Sequence, residues 1–204
     1  GFSQSNIYAT IITKKKGFFN LKESWVMRKY DAVFFDLDGT LSESGEGILW
    51  CVRRTIEDLK IVVPENFRLE SFIGPPLADS FYRLGLDDEK VKLGVKTYKS
   101  YYDTKGKYMN KAYDGIKELL ERLREKGYKL GVATSKYELF ARQIIDNIGL
   151  LQYFDFVSGA TANAERQKKI DVLNYGIKNL GATPENSALI GDTKFDAEGA
   201  RLCG

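Results

Sequence analysis

The chain contains no histidine. That excludes Ser-His-Asp and Cys-His nucleophilic catalysis and any imidazole metal site. Acid and base work near neutral pH falls to carboxylates, Lys, Tyr or a metal-bound water. Cysteine is scarce, with only Cys51 and Cys203 and no C-x-x-C spacing. This excludes a disulfide framework and a thiolate zinc site, and points to reduced thiols in a cytoplasmic protein. No apolar stretch approaches the roughly 18 residues of a membrane span, so no membrane partner is expected. Net charge is only +3, and the longest basic run is Lys14-Lys15-Lys16. So small and dispersed a charge excludes the basic footprint of a nucleic-acid binder. There is no internal repeat, no low-complexity tract and no signal-peptide pattern. What remains, 204 residues with 43% hydrophobic and 29% charged, is ordinary globular composition for one medium domain or a domain with an insertion.

Within that composition one stretch stands out, Asp31-Ala-Val-Phe-Phe-Asp-Leu-Asp-Gly-Thr-Leu41. Ala32 to Phe35 predicts a buried strand, and Asp36 to Thr40 a polar loop at its carboxyl end, where open α/β sheets bind ligands. Ser42 to Gly47 is polar and glycine-containing and predicts a flexible hinge or linker. Leu49, Val52, Ile56 and Leu59 then recur at helical spacing, until Pro64 intervenes. Ile73-Gly74-Pro75-Pro76-Leu77 predicts a tight turn, followed by a short helix with Leu77, Phe81 and Leu84 on one face. Asp87 or Asp88 suits the cap of a further helix whose apolar face is Val91, Val95, Tyr98 and Tyr102. Residues 45–110 thus predict a helical insertion without a strand.

Strands and helices then alternate. Asp114 is the expected cap of a helix with Ile116, Leu119, Leu120 and Leu123, ended by Gly127. Tyr128 to Ala133 predicts a strand delivering Thr134, Ser135 and Lys136. Phe140, Ile144 and Ile148 mark a helix, Phe154 to Ser158 a strand, and Lys168 to Leu180 a helix closed by Gly181. Thr183-Pro184 signals a helix start. Ala188 to Ile190 predicts a fourth strand running into Gly191-Asp192-Thr193-Lys194-Phe195-Asp196. Alternation of this kind implies a parallel sheet, whose strand ends share one edge. Asp36, Asp38, Asp192 and Asp196 with a Lys and the Thr134 hydroxyl would form an oxygen-rich site for a hard cation and an anion.

These motifs, in this order, resemble the haloacid dehalogenase superfamily of phosphotransferases. Its D-x-D-G-T motif matches Asp36 to Thr40, its strand-end Thr matches Thr134, and its Lys matches Lys169, with Lys168 as the alternative. Its G-D-x-x-x-D motif matches Gly191 to Asp196. The resemblance covers residues 29–204 and implies a Rossmann-like three-layer α/β/α core with an inserted helical cap. The implied division is 27–44 and 111–204 for the core, 45–110 for the cap, and 1–26 for an extension without a counterpart. It implies Asp36 as nucleophile, Asp38 as acid and base, Thr134 and Lys169 as phosphoryl-binding catalytic groups, and Mg²⁺ held by Asp36, Asp38 (through its carbonyl), Asp192 and Asp196. Asp196 equally suits a carboxylate facing a helix N-terminus. Candidate substrate contacts are Thr40, Ser135, Lys136 and Gly74.

Phe72 to Leu77 and Ala133-Thr-Ser-Lys136 resemble the phosphoglycolate phosphatase-like group and its bacterial 5′-nucleotidase branch. The implied function is a Mg²⁺-dependent phosphatase whose partner is a small phosphorylated metabolite. A sugar-phosphate mutase, or an inactive phospho-acceptor module, is the alternative on the same scaffold. The family pattern continues beyond its fourth motif with another strand and helix. The C-terminal part of the core is therefore expected to be missing, with the edge of the fourth strand left open.

Overall fold

The computed structural model describes residues 10–11, 30–73, 77–162 and 165–204. Its strands are β1 (Thr10–Ile11), β2 (Ala32–Phe35), β3 (Ser42–Glu43), β4 (Lys111–Ala112), β5 (Lys129–Tyr137), β6 (Phe156–Ala160) and β7 (Ser187–Gly191). Its α-helices are α1 (Gly45–Asp58), α2 (Leu77–Arg83), α3 (Asp88–Thr104), α4 (Ile116–Glu125), α5 (Glu138–Asn147), α6 (Lys169–Leu180) and α7 (Lys194–Cys203). No helix among the described residues is long and apolar enough to cross a membrane. The chain forms two compact units: one reaches Ser42 and resumes at Ala112, and the other is Glu43–Lys111.

The first unit is built on a parallel sheet of order β1-β7-β2-β5-β6. β2 lies in its interior, paired with β5 on one side and β7 on the other. A parallel strand covered on both faces has to be apolar throughout, and all four residues of Ala-Val-Phe-Phe are buried. Phe34 packs with Ala133, Val172, Leu173, Ile177, Leu189 and Ala200, joining the sheet to α6 and α7. Phe35 meets Phe154 edge-on at 6.1 Å. The edge of β7 expected to lie open is paired with β1, Thr10 opposite Ile190 and Ile11 opposite Gly191. At Ile190 and Gly191 this parallel partner pairs an edge that would otherwise be exposed.

Several local expectations are corrected. The polar stretch Ser42 to Gly47 carries regular structure, a short strand followed by the start of a helix. Ser42, Ser44 and Gly47 are buried, and α1 starts at Gly45. Gly115, at φ +79°, precedes α4 in place of Asp114 as its cap, a conformation that glycine adopts without steric cost. The Thr183-Pro184 signal starts only a single 3₁₀ turn, Pro184–Asn186. β5 continues through Thr134 to Tyr137, with its ladder to β6 shifted between Ala133 and Tyr137.

The second unit is helical. Cys51, Val52, Phe72, Phe81, Val91, Tyr98 and Tyr102 are buried. Phe72 and Phe81 meet edge-on at 5.1 Å. Asp87 caps α3 by accepting from the Lys90 N–H at 2.9 Å. Burial raises the Cys51 thiol pKa to about 12, so it stays protonated and inert.

The close approach of β5 to β2 generates a stability prediction. A Cβ on Gly131 would lie 2.4 Å from Phe34 Cε1 and 3.1 Å from Leu180 Cδ1. Gly131→Ala should cost about 1–3 kcal/mol through overpacking, read as a lower urea midpoint at unchanged slope. A midpoint at or above that of the parent would contradict this packing.

Candidate active site

β2 ends in Asp36, and the chain turns back at once. The N–H groups of Thr40, Leu41 and Ser42 all reach Leu37 O, and Gly39 N–H donates to Ser42 O at 2.9 Å. Gly39 sits at φ +83°, and a Cβ there would fall 2.2 Å from Asp192 Oδ2. Both the turn and the approach to Asp192 therefore require glycine at this position. Thr40 is buried and donates to Asp192 Oδ1 at 3.4 Å, so its hydroxyl orients a carboxylate.

Lys169 opens α6 and is buried. Its Nζ lies 2.7 Å from Asp36 Oδ1, 2.7 Å from Asp196 Oδ1 and 3.0 Å from Ala133 O. Of the two candidate lysines, Lys169 is the one brought to the carboxylates, and Lys168 is the exposed N-cap residue of the same helix. Gly199 on α7 makes room for it, because a Cβ there would stand 2.6 Å from Lys169 Cγ. Asp196, in the first turn of α7, directs Oδ2 to Thr193 N (3.0 Å) and Thr193 Oγ1 (2.6 Å). This is a capping box, readable from the T-x-x-D spacing once α7 is recognised. Both Asp196 oxygens are thus engaged by protein, and its place at the helix N-terminus and its place in the acidic cluster coexist.

Asp36, Asp192 and Asp196 each bring one carboxylate oxygen within 4.8 Å of the others. An all-oxygen donor set of this size suits a hard divalent cation that keeps part of its water shell. The Asp38 carboxylate is outside that trio. Its Oδ2 pairs with Lys136 Nζ at 3.0 Å, and its Oδ1 is buried with no hydrogen-bond partner among the described residues. Lys136 N–H donates to Thr134 Oγ1 at 3.2 Å, and Thr134 is buried. Ser135 is exposed, and Gly74 lies outside the described residues.

The electrostatics follow from burial and crowding. Burial raises the Asp36 pKa from 3.8 to about 6; Lys169 opposes the shift, and Asp196 and Asp38 add to it. Burial alone would lower the pKa of Lys169, but Asp36 and Asp196 outweigh it and raise it. The site is therefore a buried cation between carboxylates, with an excess of negative charge that a metal ion or a proton relieves.

Known proteins are similar to this chain in sequence and in fold. Residues 33–204 match the family model described as haloacid dehalogenase-like hydrolase. The chain belongs to the haloacid dehalogenase-like hydrolase family. It is 37% identical over 172 residues, 84% of its length, to a protein of Mycobacterium tuberculosis named tyrosine-protein kinase PtkA, and spans 59% of that relative's length. It is 36% identical over 173 residues to a 5′-nucleotidase of Pseudomonas aeruginosa, covering 84% of this chain and 78% of the other. A solved haloacid dehalogenase-like hydrolase of Streptococcus pneumoniae superposes with a TM-score of 0.78 at 35% identity, over 86% of this chain and 81% of that one.

The raised pKa of Asp36 sets a pH signature for the metal-free protein. An acid whose folded pKa lies above its unfolded value costs stability when ionised, so the cost is full well above pH 6 and fades as pH falls through it. Asp36→Asn also strands Lys169, a cost that does not depend on pH in this range, so the signature is the pH dependence: relative to the parent, the variant should gain roughly 1–2 kcal/mol of stability between pH 5 and pH 8. Urea unfolding at the two pH values checks this, and a difference between the two proteins that is independent of pH would contradict it.

Proposed function

We propose that this hydrolase is a Mg²⁺-dependent phosphatase of small phosphomonoesters that works through an aspartyl-phosphate on Asp36. The observation carrying the proposal is the placement of Lys169 Nζ, 2.7 Å from both Asp36 and Asp196. A nucleophilic carboxylate must meet a phosphoryl dianion at close range, and that approach needs fixed positive charge. Lys169 supplies one such charge. Asp36 and Asp192 would hold the cation with Asp196 in support, and when bound it would offset the remaining negative charge and orient the phosphate.

In the first half-reaction the Asp36 carboxylate attacks phosphorus, and the bond from phosphorus to the ester oxygen breaks. Asp38 delivers a proton to that departing oxygen. In the second half-reaction water attacks phosphorus, Asp38 takes the proton, and the Asp36–phosphorus bond breaks to release phosphate. Asp38 suits this shuttle because it stands outside the carboxylate trio, with one oxygen on Lys136 and the other unpartnered among the described residues. Thr134 would donate to a phosphoryl oxygen. The similarity to a 5′-nucleotidase favours a nucleoside monophosphate, with phosphoglycolate as the other substrate of this class. A small phosphorylated metabolite is the partner, and the cytoplasm the expected location.

The similarity to a protein named a tyrosine-protein kinase supports a second reading of the same chemistry. A tyrosine hydroxyl would replace water in the second half-reaction, and phosphate would pass to protein.

Phosphate release from a panel of phosphomonoesters, with and without Mg²⁺, tests the proposal. Release should require Mg²⁺ and vanish in Asp36→Asn, and Asp38→Asn should lower kcat by about 10²–10⁴-fold. Metal-independent turnover, or an Asp36→Asn protein as active as the parent, would refute it. Retention of label on protein tyrosine in place of free phosphate would favour the second reading.

A further inference from the structure

Arg166 lies three residues before Lys169 and has no part in the chemistry above. Its side chain is nonetheless held on several sides. Nε donates to Gly159 O at 2.7 Å and Nη2 to Glu138 Oε2 at 2.6 Å. The guanidinium carbon sits 3.8 Å from the centre of the Tyr175 ring. The backbone is fixed as well: Arg166 N–H donates to Thr161 Oγ1 at 3.1 Å, and Thr161 N–H donates to Arg166 O at 2.8 Å. Two bonds diverging from one plane whose face stacks on an aromatic ring are met by guanidinium and not by ammonium.

Glu138, at the other end of the clamp, is the first residue of α5, two residues beyond Lys136 and four beyond Thr134. Its Oε2 also accepts from Gly159 N–H at 3.2 Å, and its Oε1 lies 3.7 Å from Arg142 Nε. Gly159 leaves no slack between the strands. A Cβ there would fall 2.5 Å from Glu138 Cα and 2.7 Å from Lys136 O. The clamp thus ties the end of β5 to the segment entering α6. It does so where the β5–β6 ladder is shifted in register.

We propose that Arg166 is a positioning residue for Lys169. By gripping Glu138 and Gly159 together, it fixes the start of α6 against the end of β5, so that Lys169 meets Asp36 beside Thr134. An exposed ion pair of ordinary worth would leave Lys169 untouched when removed; this clamp would not. Its kinetic consequence rests on the phosphatase reading, whereas its structural consequence does not.

The test uses the full chain with Arg166→Met, Arg166→Lys and Glu138→Gln. The first readout, independent of activity, is acylation of individual lysines by an amine-reactive reagent, followed by mass spectrometry. Lys178, exposed on the same helix, serves as the internal reference. Lys169 should become several-fold more reactive in Arg166→Met and Glu138→Gln, with Lys178 unchanged, and Arg166→Lys should not restore the protection. The second readout is kinetic. Because a displacement of about 1 Å costs about 10²-fold, kcat should fall by about 10- to 100-fold while KM stays within about threefold. An Arg166→Met protein with the parent's circular dichroism and unchanged Lys169 reactivity would overturn the proposal. If Arg166→Met does not fold, Glu138→Gln decides by the same criterion. If the parent releases no phosphate from any ester, the phosphatase reading fails while the acylation result still decides the clamp.

Discussion

The site depends on one buried ammonium. Asp36, Asp192 and Asp196 bring their oxygens together where burial already penalises the ionised Asp36 carboxylate. Lys169 reaches two of the three at 2.7 Å and is itself closed from solvent. Removing one partner of a buried pair is far costlier than the pair is stabilising, because the other charge is stranded. Much of the surrounding structure serves to place that amine. Phe34 and Ala133 pack α6 onto the sheet, Gly199 lets α7 approach the Lys169 stem, and Thr193 fixes Asp196 opposite it.

A second ion pair, Asp38–Lys136, separates the two aspartates of the first motif. They stand two residues apart in sequence and have different surroundings. Asp36 is buried and faces Lys169, whereas Asp38 is partly exposed and faces Lys136. Different surroundings would let one pair of like side chains take the two chemical roles proposed for them. Lys136 reaches Asp38 because β5 does not end at Ala133 but continues with a shifted register, and such irregularities re-aim side chains near active sites.

The parallel sheet was legible because its interior strands are short apolar runs followed by polar loops, as in Ala32 to Asp38 and Ala188 to Asp192. The acidic cluster was legible because those loops carry the carboxylates. Other features are set by tertiary contact. Lys168 and Lys169 are equivalent in one dimension, and only the start of α6 decides which is buried. Ser42 to Gly47 reads as linker by composition, yet it carries a strand and a helix start, with Ser42, Ser44 and Gly47 buried. Asp114 has the residue type of a cap, but Gly115 is the residue that can take the left-handed turn. Arg166 carries no motif at all, and its contacts join residues 28 and 7 positions apart.

The proposed chemistry turns on Asp36, whose carboxylate oxygen attacks phosphorus. The most direct measurement is acid quench of the full chain during turnover of a radiolabelled phosphomonoester with Mg²⁺, followed by peptide mapping. Hydroxylamine-labile label is expected on the peptide containing Asp36, formed and lost at rates compatible with turnover, and none in Asp36→Asn. Phosphate release without any covalently held label at that peptide, sustained in Asp36→Asn, would contradict it.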